Sequence, residues 1–177
     1  MPALPIPLDV LRTRLRVEVE SDDVDLAALC VAAGEMIERE TGLGLQLSAR
    51  RAFIRKFDRF IPPIQPLSSI TQVLYYDAAG TGQTLPGTDY WIDNTEPMHA
   101  LEFDTSVVVK ENTTIQVDYQ AGFTVIPQPL QQCIVALVGS WYNNPEALQV
   151  AQLAEVPLAY KAIIAQYSTQ EIGRAHV

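Results

Sequence analysis

Ser21–Gly42 reads SDDVDLAALCVAAGEMIERETG, and its apolar residues Leu26, Leu29, Cys30, Ala33, Met36 and Ile37 recur at three- and four-residue steps. Glu35, Glu38 and Arg39 fall on other sides, so the spacing predicts an amphipathic helix with one buried flank. Asp22, Asp23 and Asp25 stand at its start, where carboxylates cap free amides and meet the positive end of the helix dipole, each worth roughly 0.3 to 1 kcal/mol. Gly42 supplies the left-handed stop. At about 1.5 Å per residue the rod is roughly 30 Å long. It carries no reactive side chain and reads as a scaffold.

Upstream, Leu4 to Pro7 is a proline-spaced extended arm, and Pro7 favours a helix beginning at Leu8. Leu8, Leu11 and Leu15 define that short helix, with Arg12, Arg14 and Arg16 on a solvated face. Val17 to Glu20 joins it to the long helix as an antiparallel hairpin. After Gly42 and Gly44 the period changes to alternation. Arg50 to Phe60 interleaves Phe53, Ile54, Phe57 and Phe60 with Arg50, Arg51, Arg55, Lys56 and Arg59, and reads as one strand. Ile70 to Tyr76, the turn Asp77-Ala78-Ala79-Gly80 and the return Gln83 to Leu85 form a hairpin. Tyr90 to Ile92, Ala100 to Phe103, Val107 to Val109 and Ile115 to Tyr119 are further short strands. From Pro129 the helical period returns in Leu130, Cys133, Ile134, Leu137, Val138, Trp141 and Tyr142, until Asn144-Pro145 stops it. A last helix runs from Pro157 through Ile163 to Tyr167. Helices, then strands, then helices predict an α+β fold: an N-terminal helical hairpin, a central antiparallel β region, and C-terminal helices packing on the N-terminal pair.

The chain has 177 residues, 48% hydrophobic and 19% charged, which predicts a single domain over 1–170 burying roughly 70% of its unfolded surface. Its parts are the hairpin 8–42, the β-rich middle 48–120 and the helices 128–168. No apolar run approaches the ~20 residues of a membrane span, and the N-terminus lacks a signal pattern. A soluble, unexported protein is expected. Cys30 and Cys133 sit in apolar helical patterns and read as buried thiols of a reducing compartment.

Net charge is −9, and it is unevenly placed. Residues 1–59 hold nine Lys or Arg against ten Asp or Glu, whereas 60–170 hold two against ten. That balance opposes duplex binding as the main role, since a sequence-independent grip on nucleic acid needs a basic surface. It suits a surface that DNA slides past.

The chemistry-bearing residues are sparse. Apart from His176, His99 is the only histidine, and no neighbouring Cys, Ser or Thr completes a triad. Neither CxxC nor HExxH occurs, and the Asp22–Asp25 cluster lacks a calcium loop's Gly and distal Glu. No cofactor or metal is expected. Gly42-Leu43-Gly44 and Gly80-Thr81-Gly82 are turns, because neither continues as a phosphate loop. Trp91, Trp141, Tyr75 and Tyr76 read as core or interface anchors. Two other readings stay open: a small hydrolase using Glu102 and Asp104, two apart on one strand face, or His99; and a single-strand nucleic-acid-binding module using Arg50 to Arg59.

A resemblance spans Leu8 to Ser168. Leu8 to Val17, Asp22-Asp23, Ala32-Ala33-Gly34-Glu35 and Glu38-Arg39-Glu40-Thr41-Gly42 resemble the helical hairpin of the tailed-phage head-tail connector (adaptor, or head-completion) family. Pro66-Leu67-Ser68-Ser69-Ile70, Val73-Leu74-Tyr75-Tyr76-Asp77, Asp89-Tyr90, Val117-Asp118-Tyr119-Gln120-Ala121-Gly122-Phe123, the helix ending Trp141-Tyr142-Asn143-Asn144-Pro145-Glu146, and Val156-Pro157-Leu158 follow in the same order. At Asn144-Pro145 the chain departs from the Arg that the pattern expects.

The resemblance implies a non-enzymatic structural subunit of a bacteriophage or prophage particle. It implies a dodecameric ring of copies beneath the portal protein, contact with a tail-completion or stopper protein, and DNA only as transiting cargo. It implies assembly in the host cytoplasm, residence at the head-tail junction of the virion, and no membrane. A head-to-tail ring needs two complementary surfaces on each subunit. Arg50, Arg51, Arg55, Lys56 and Arg59 are the candidate for one, and the acidic later half for the other. Family members often use a C-terminal tail to dock on the portal. Here the terminal Glu171-Ile172-Gly173-Arg174-Ala175-His176-Val177 can be encoded as GAG ATC GGA AGA GCA CAC GTC, which reads as a short-read sequencing adapter. Residues 171–177 are therefore expected to be non-native.

Overall fold

In the computed structural model, residues 4–18, 20–96, 98–144 and 158–168 are described. Helix α1 (Leu8–Leu15) begins directly after Pro7 and ends where Arg16 turns left-handed, at φ 56°. A 3-10 turn (Glu20–Asp22) leads into α2 (Asp23–Thr41). The last turn of α2 closes at Gly42, with φ 72° and an N–H that donates to the Glu38 carbonyl at 2.9 Å. Its buried flank is Leu26, Cys30, Ala33, Gly34, Ile37 and Thr41, with Leu29 and Met36 half-buried. Gly34 is a close approach: a Cβ there would lie 2.7 Å from Cγ of Pro5 in the N-terminal arm. The expected aspartate cap does not form. Asp22 sits at φ −91°, ψ 0°, in the helical region and not the extended one that capping needs. Its carboxylate instead accepts hydrogen bonds from the Ser21 and Tyr142 hydroxyls.

Helix α3 (Gln128–Asn143) starts after Pro127 and buries Leu130, Cys133, Ile134, Leu137 and Val138. Helix α4 (Leu158–Tyr167) buries Tyr160 and Ile164. Both pack on α2, and α1 packs on α2 and α3, as the sequence predicts. The described parts of Met1–Leu45 and Val125–Val177 thus make one helical unit from the two ends of the chain. Cys30 and Cys133 are free and buried within it, and burial pushes both thiols up. The Tyr160 hydroxyl donates to the Glu40 carboxylate at 2.8 Å.

The second unit is Gln46–Thr124. Four strands, β1 (Ser48–Ile54), β2 (Leu67–Tyr76), β3 (Gly82–Thr84) and β6 (Ile115–Ala121), form an antiparallel sheet in the order β1-β6-β2-β3. Strands β4 (Tyr90–Asp93) and β5 (Ala100–Phe103) pair as a separate ribbon. β6 is central and alternates strictly, with Ile115, Val117, Tyr119 and Ala121 buried and Gln116, Asp118 and Gln120 less so. That alternation is what a half-buried strand requires. The inward residues join Leu67, Val73, Leu85 and Leu101, against which Phe57, Phe60, Tyr75, Tyr90 and Phe103 pack. The α+β order and the antiparallel middle agree with the sequence.

Two predicted strands differ. Arg50 to Phe60 is not one strand: β1 stops at Ile54, and Phe57 turns inward to pack on Tyr75 and Phe103, with ring centroids 5.6 and 5.3 Å away. Burying that ring outweighs continuing a solvent-facing edge. Val107 to Val109 forms no strand, because only Val109 finds a bridge partner, Asp77. Pro145, Glu146, Val156, Pro157 and residues 171–177 lie outside the described residues.

Burial, reinforced by the hydrogen bond to Glu40, raises the Tyr160 pKa. A raised folded pKa stabilises the fold fully below the unfolded value of about 10, and the contribution falls as pH rises above it. Tyr160→Phe is expected to cost about 1 kcal/mol at neutral pH and to flatten the loss of stability above pH ~10. Urea unfolding as a function of pH measures both effects.

Candidate subunit interface

β1 is an edge strand. Ala52 and Ile54 pack against the core, so the period of two sends Ala49, Arg51 and Phe53 to the opposite, outer face. On that face Arg51 stands across from Asp118 of β6. The guanidinium grips the carboxylate with two bonds, Nε to Oδ1 at 2.6 Å and Nη2 to Oδ2 at 3.2 Å. Gln72 of β2 and Gln116 of β6 also donate to Oδ2, at 2.7 and 2.9 Å. These donors, Arg51 first and then Gln72, hold the Asp118 carboxyl down to about 2, and the hydrogen bond from Arg51 to that carboxylate raises the guanidinium in return.

Of the five predicted cations, two are therefore engaged within the unit. Arg51 is on Asp118, and Arg59 bridges Glu96 at 3.0 Å and Glu102 at 3.3 Å. Arg50 is exposed, with its Nε donating to Ser48 Oγ at 3.1 Å. Arg55 and Lys56 are exposed on the rim of a groove of about 520 Å³, floored by Phe57, Val107 and Val109. Lys110 and Glu111 also line it. Sequence reasoning missed Lys110. The fold brings it there by pairing its N–H with the Tyr76 carbonyl at 2.9 Å, a long-range contact with no signature in spacing.

The residues of the hydrolase reading do not converge. His99 Nδ1 donates to the Leu67 carbonyl at 2.9 Å, Glu102 is held by Arg59, and Asp104 lies beyond the end of β5 on the surface. Trp91, an expected anchor, is half exposed on β4. Among the described residues no cluster of metal-ligating side chains occurs and no helix is long and apolar enough to cross a membrane.

No protein-family model and no curated protein matches the chain. Solved structures do. A chain in the neck of an empty gene transfer agent (GTA) particle, computed with C6 symmetry, aligns over 96% of this chain and 93% of its own at a TM-score of 0.76 and 22% identity. The fold is shared with a GTA neck chain. A chain in the virion of the native gene transfer agent particle matches at 0.75, and one in the native neck computed with C12 symmetry at 0.69, each at 22% identity and over the same 96% and 93%. This shared fold agrees with the head-tail connector resemblance drawn from the sequence.

Asp118→Asn removes the anion that binds Arg51, Gln72 and Gln116 together. It is expected to lower the melting temperature at pH 7 by roughly 2–4 °C. A depressed folded pKa gives stability that is present above the unfolded value of about 3.9 and is lost as pH falls towards about 2. The variant is expected to lack that acid-side slope in calorimetric scans between pH 5 and 2.

Proposed function

We propose that this chain is a structural, non-enzymatic subunit of a phage head-tail connector ring. The ring attaches below the portal protein, meets a tail-completion or stopper protein, and forms part of the DNA channel between capsid and tail. It assembles in the bacterial host cytoplasm and remains at the head-tail junction of the virion. The observation that carries this reading is the fold shared along 96% of the chain with neck chains from particles computed with C6 and C12 symmetry. The ordered motifs from Leu8 to Ser168 support it independently.

A rotational ring requires one surface of each subunit to fit a different surface of the next. Arg50, Arg55 and Lys56, the cations exposed on and beside β1, make one side. The span 60–109 holds Asp77, Asp89, Asp93, Glu96, Glu102 and Asp104 but no Lys or Arg, and offers acidic ground for the other. An acid-rich lumen repels DNA and lets it pass without adhesion. The internal pairing of Glu102 with Arg59, and of Arg51 with Asp118, favours this reading over a hydrolase or a single-strand binder.

Size-exclusion chromatography with light scattering, on the full chain alone and mixed with its portal, tests the proposal. Ring-sized or portal-bound oligomers are expected. Arg55→Glu with Lys56→Glu is expected to weaken assembly at least tenfold, about 1.4 kcal/mol, at low salt. A monomer indifferent to the portal contradicts it.

A further inference from the structure

The four-stranded sheet of the second unit has two unpaired edges, and their directions are fixed by strand number. Among the described residues β1 pairs only with β6, and β3 only with β2. Each edge leaves N–H and C=O groups pointing outward, a template for another strand. Because four strands alternate strictly, β1 and β3 run in opposite directions. A second copy set beside the first in the same orientation, as rotational symmetry demands, meets β3 with its β1 antiparallel. An odd number of strands would give a parallel junction.

The register continues across that junction. Thr84 lies opposite Leu74, Leu74 opposite Gln116, and Gln116 opposite Phe53. Carried on without stagger, Thr84 of one copy faces Phe53 of the next, and Gly82, which lies opposite Tyr76, comes level with Arg55, the first residue after β1. Phe53 and Tyr76 are 62% and 51% exposed, unusual for large apolar rings on a sheet. Gly82 has no side chain to separate Tyr76 from what lies beyond it, and a Cβ there would touch the Tyr76 ring at 3.7 Å. Arg55, about 10 Å away across two strand spacings, has the reach to lay its guanidinium over that ring as a cation–π pair.

We propose that neighbouring subunits join sheet to sheet, β3 of one copy pairing antiparallel with β1 of the next, and that Arg55 stacks across Gly82 on the neighbour's Tyr76. The occupant of each edge is a second copy of this chain. This inference rests on the ring reading and names the partner segment of its cationic side.

Paired cysteines test it, since the native Cys30 and Cys133 are buried. Directly opposed residues in antiparallel strands approach the Cβ separation of a disulfide. The full-length Phe53→Cys/Thr84→Cys double variant, oxidised alone and on the portal, is expected to give a ladder of covalent multimers on non-reducing gels. Each single variant is expected to run as a monomer on the same gels. Tyr76→Ala is expected to weaken assembly about tenfold, and Tyr76→Phe to restore it. Phe53→Cys alone giving a covalent dimer means β1 meets β1, and overturns the inference. Rings seen by light scattering without a ladder overturn the edge pairing and leave the ring reading standing. No assembly under any of these conditions overturns both.

Discussion

Three strands of the second unit are tied on their outer face by one carboxylate. Asp118 takes Arg51 from β1, Gln72 from β2 and Gln116 from its own strand. A carboxylate has lone pairs for about four such bonds, and here four are made. The consequence is division of labour along the basic stretch. Arg51 holds the sheet together, while Arg50, Arg55 and Lys56 keep their charge at the surface. The same network keeps the face polar in its middle and leaves Phe53 and Tyr76 exposed towards its two sides.

The helical unit solves a different problem. Its helices come from both ends of the chain, so α2 is the element on which the others are packed. Close contacts replace side chains at Gly34 under Pro5 and at Gly139, where a Cβ would lie 2.9 Å from Leu15. Polar links such as Tyr160 to Glu40 then fasten helices distant in sequence. A chain built this way has four helices packed on one another and, among the described residues, a sheet with two unpaired edges. The edges are what a ring of identical parts can use.

Much of this was legible in residue spacing. The three- and four-residue steps of Leu26, Cys30, Ala33 and Ile37, the stop at Gly42, and the period of two in Ile115 to Ala121 each report a local constraint that survives folding. The cationic run misled because local alternation extended through Phe60 while tertiary packing took Phe57 inward at the end of β1. Asp22 misled because a 3-10 turn put it in a helical conformation. The sorting of the arginines was not legible at all. Arg51 finds Asp118 across 67 positions and Arg59 finds Glu96 across 37, and Lys110 reaches the groove through a backbone bond to Tyr76. Such pairings depend on strand order, which periodicity does not encode.

The central claim is that the chain acts as one segment of a collar whose order comes from rotational repetition of a single fold. Electron microscopy of purified portal incubated with excess full-length protein tests it most directly. The account predicts a closed ring of copies added to one end of the portal, with the subunit count matching the portal's symmetry. Portals that stay bare at saturating protein, with no free rings beside them, would contradict it.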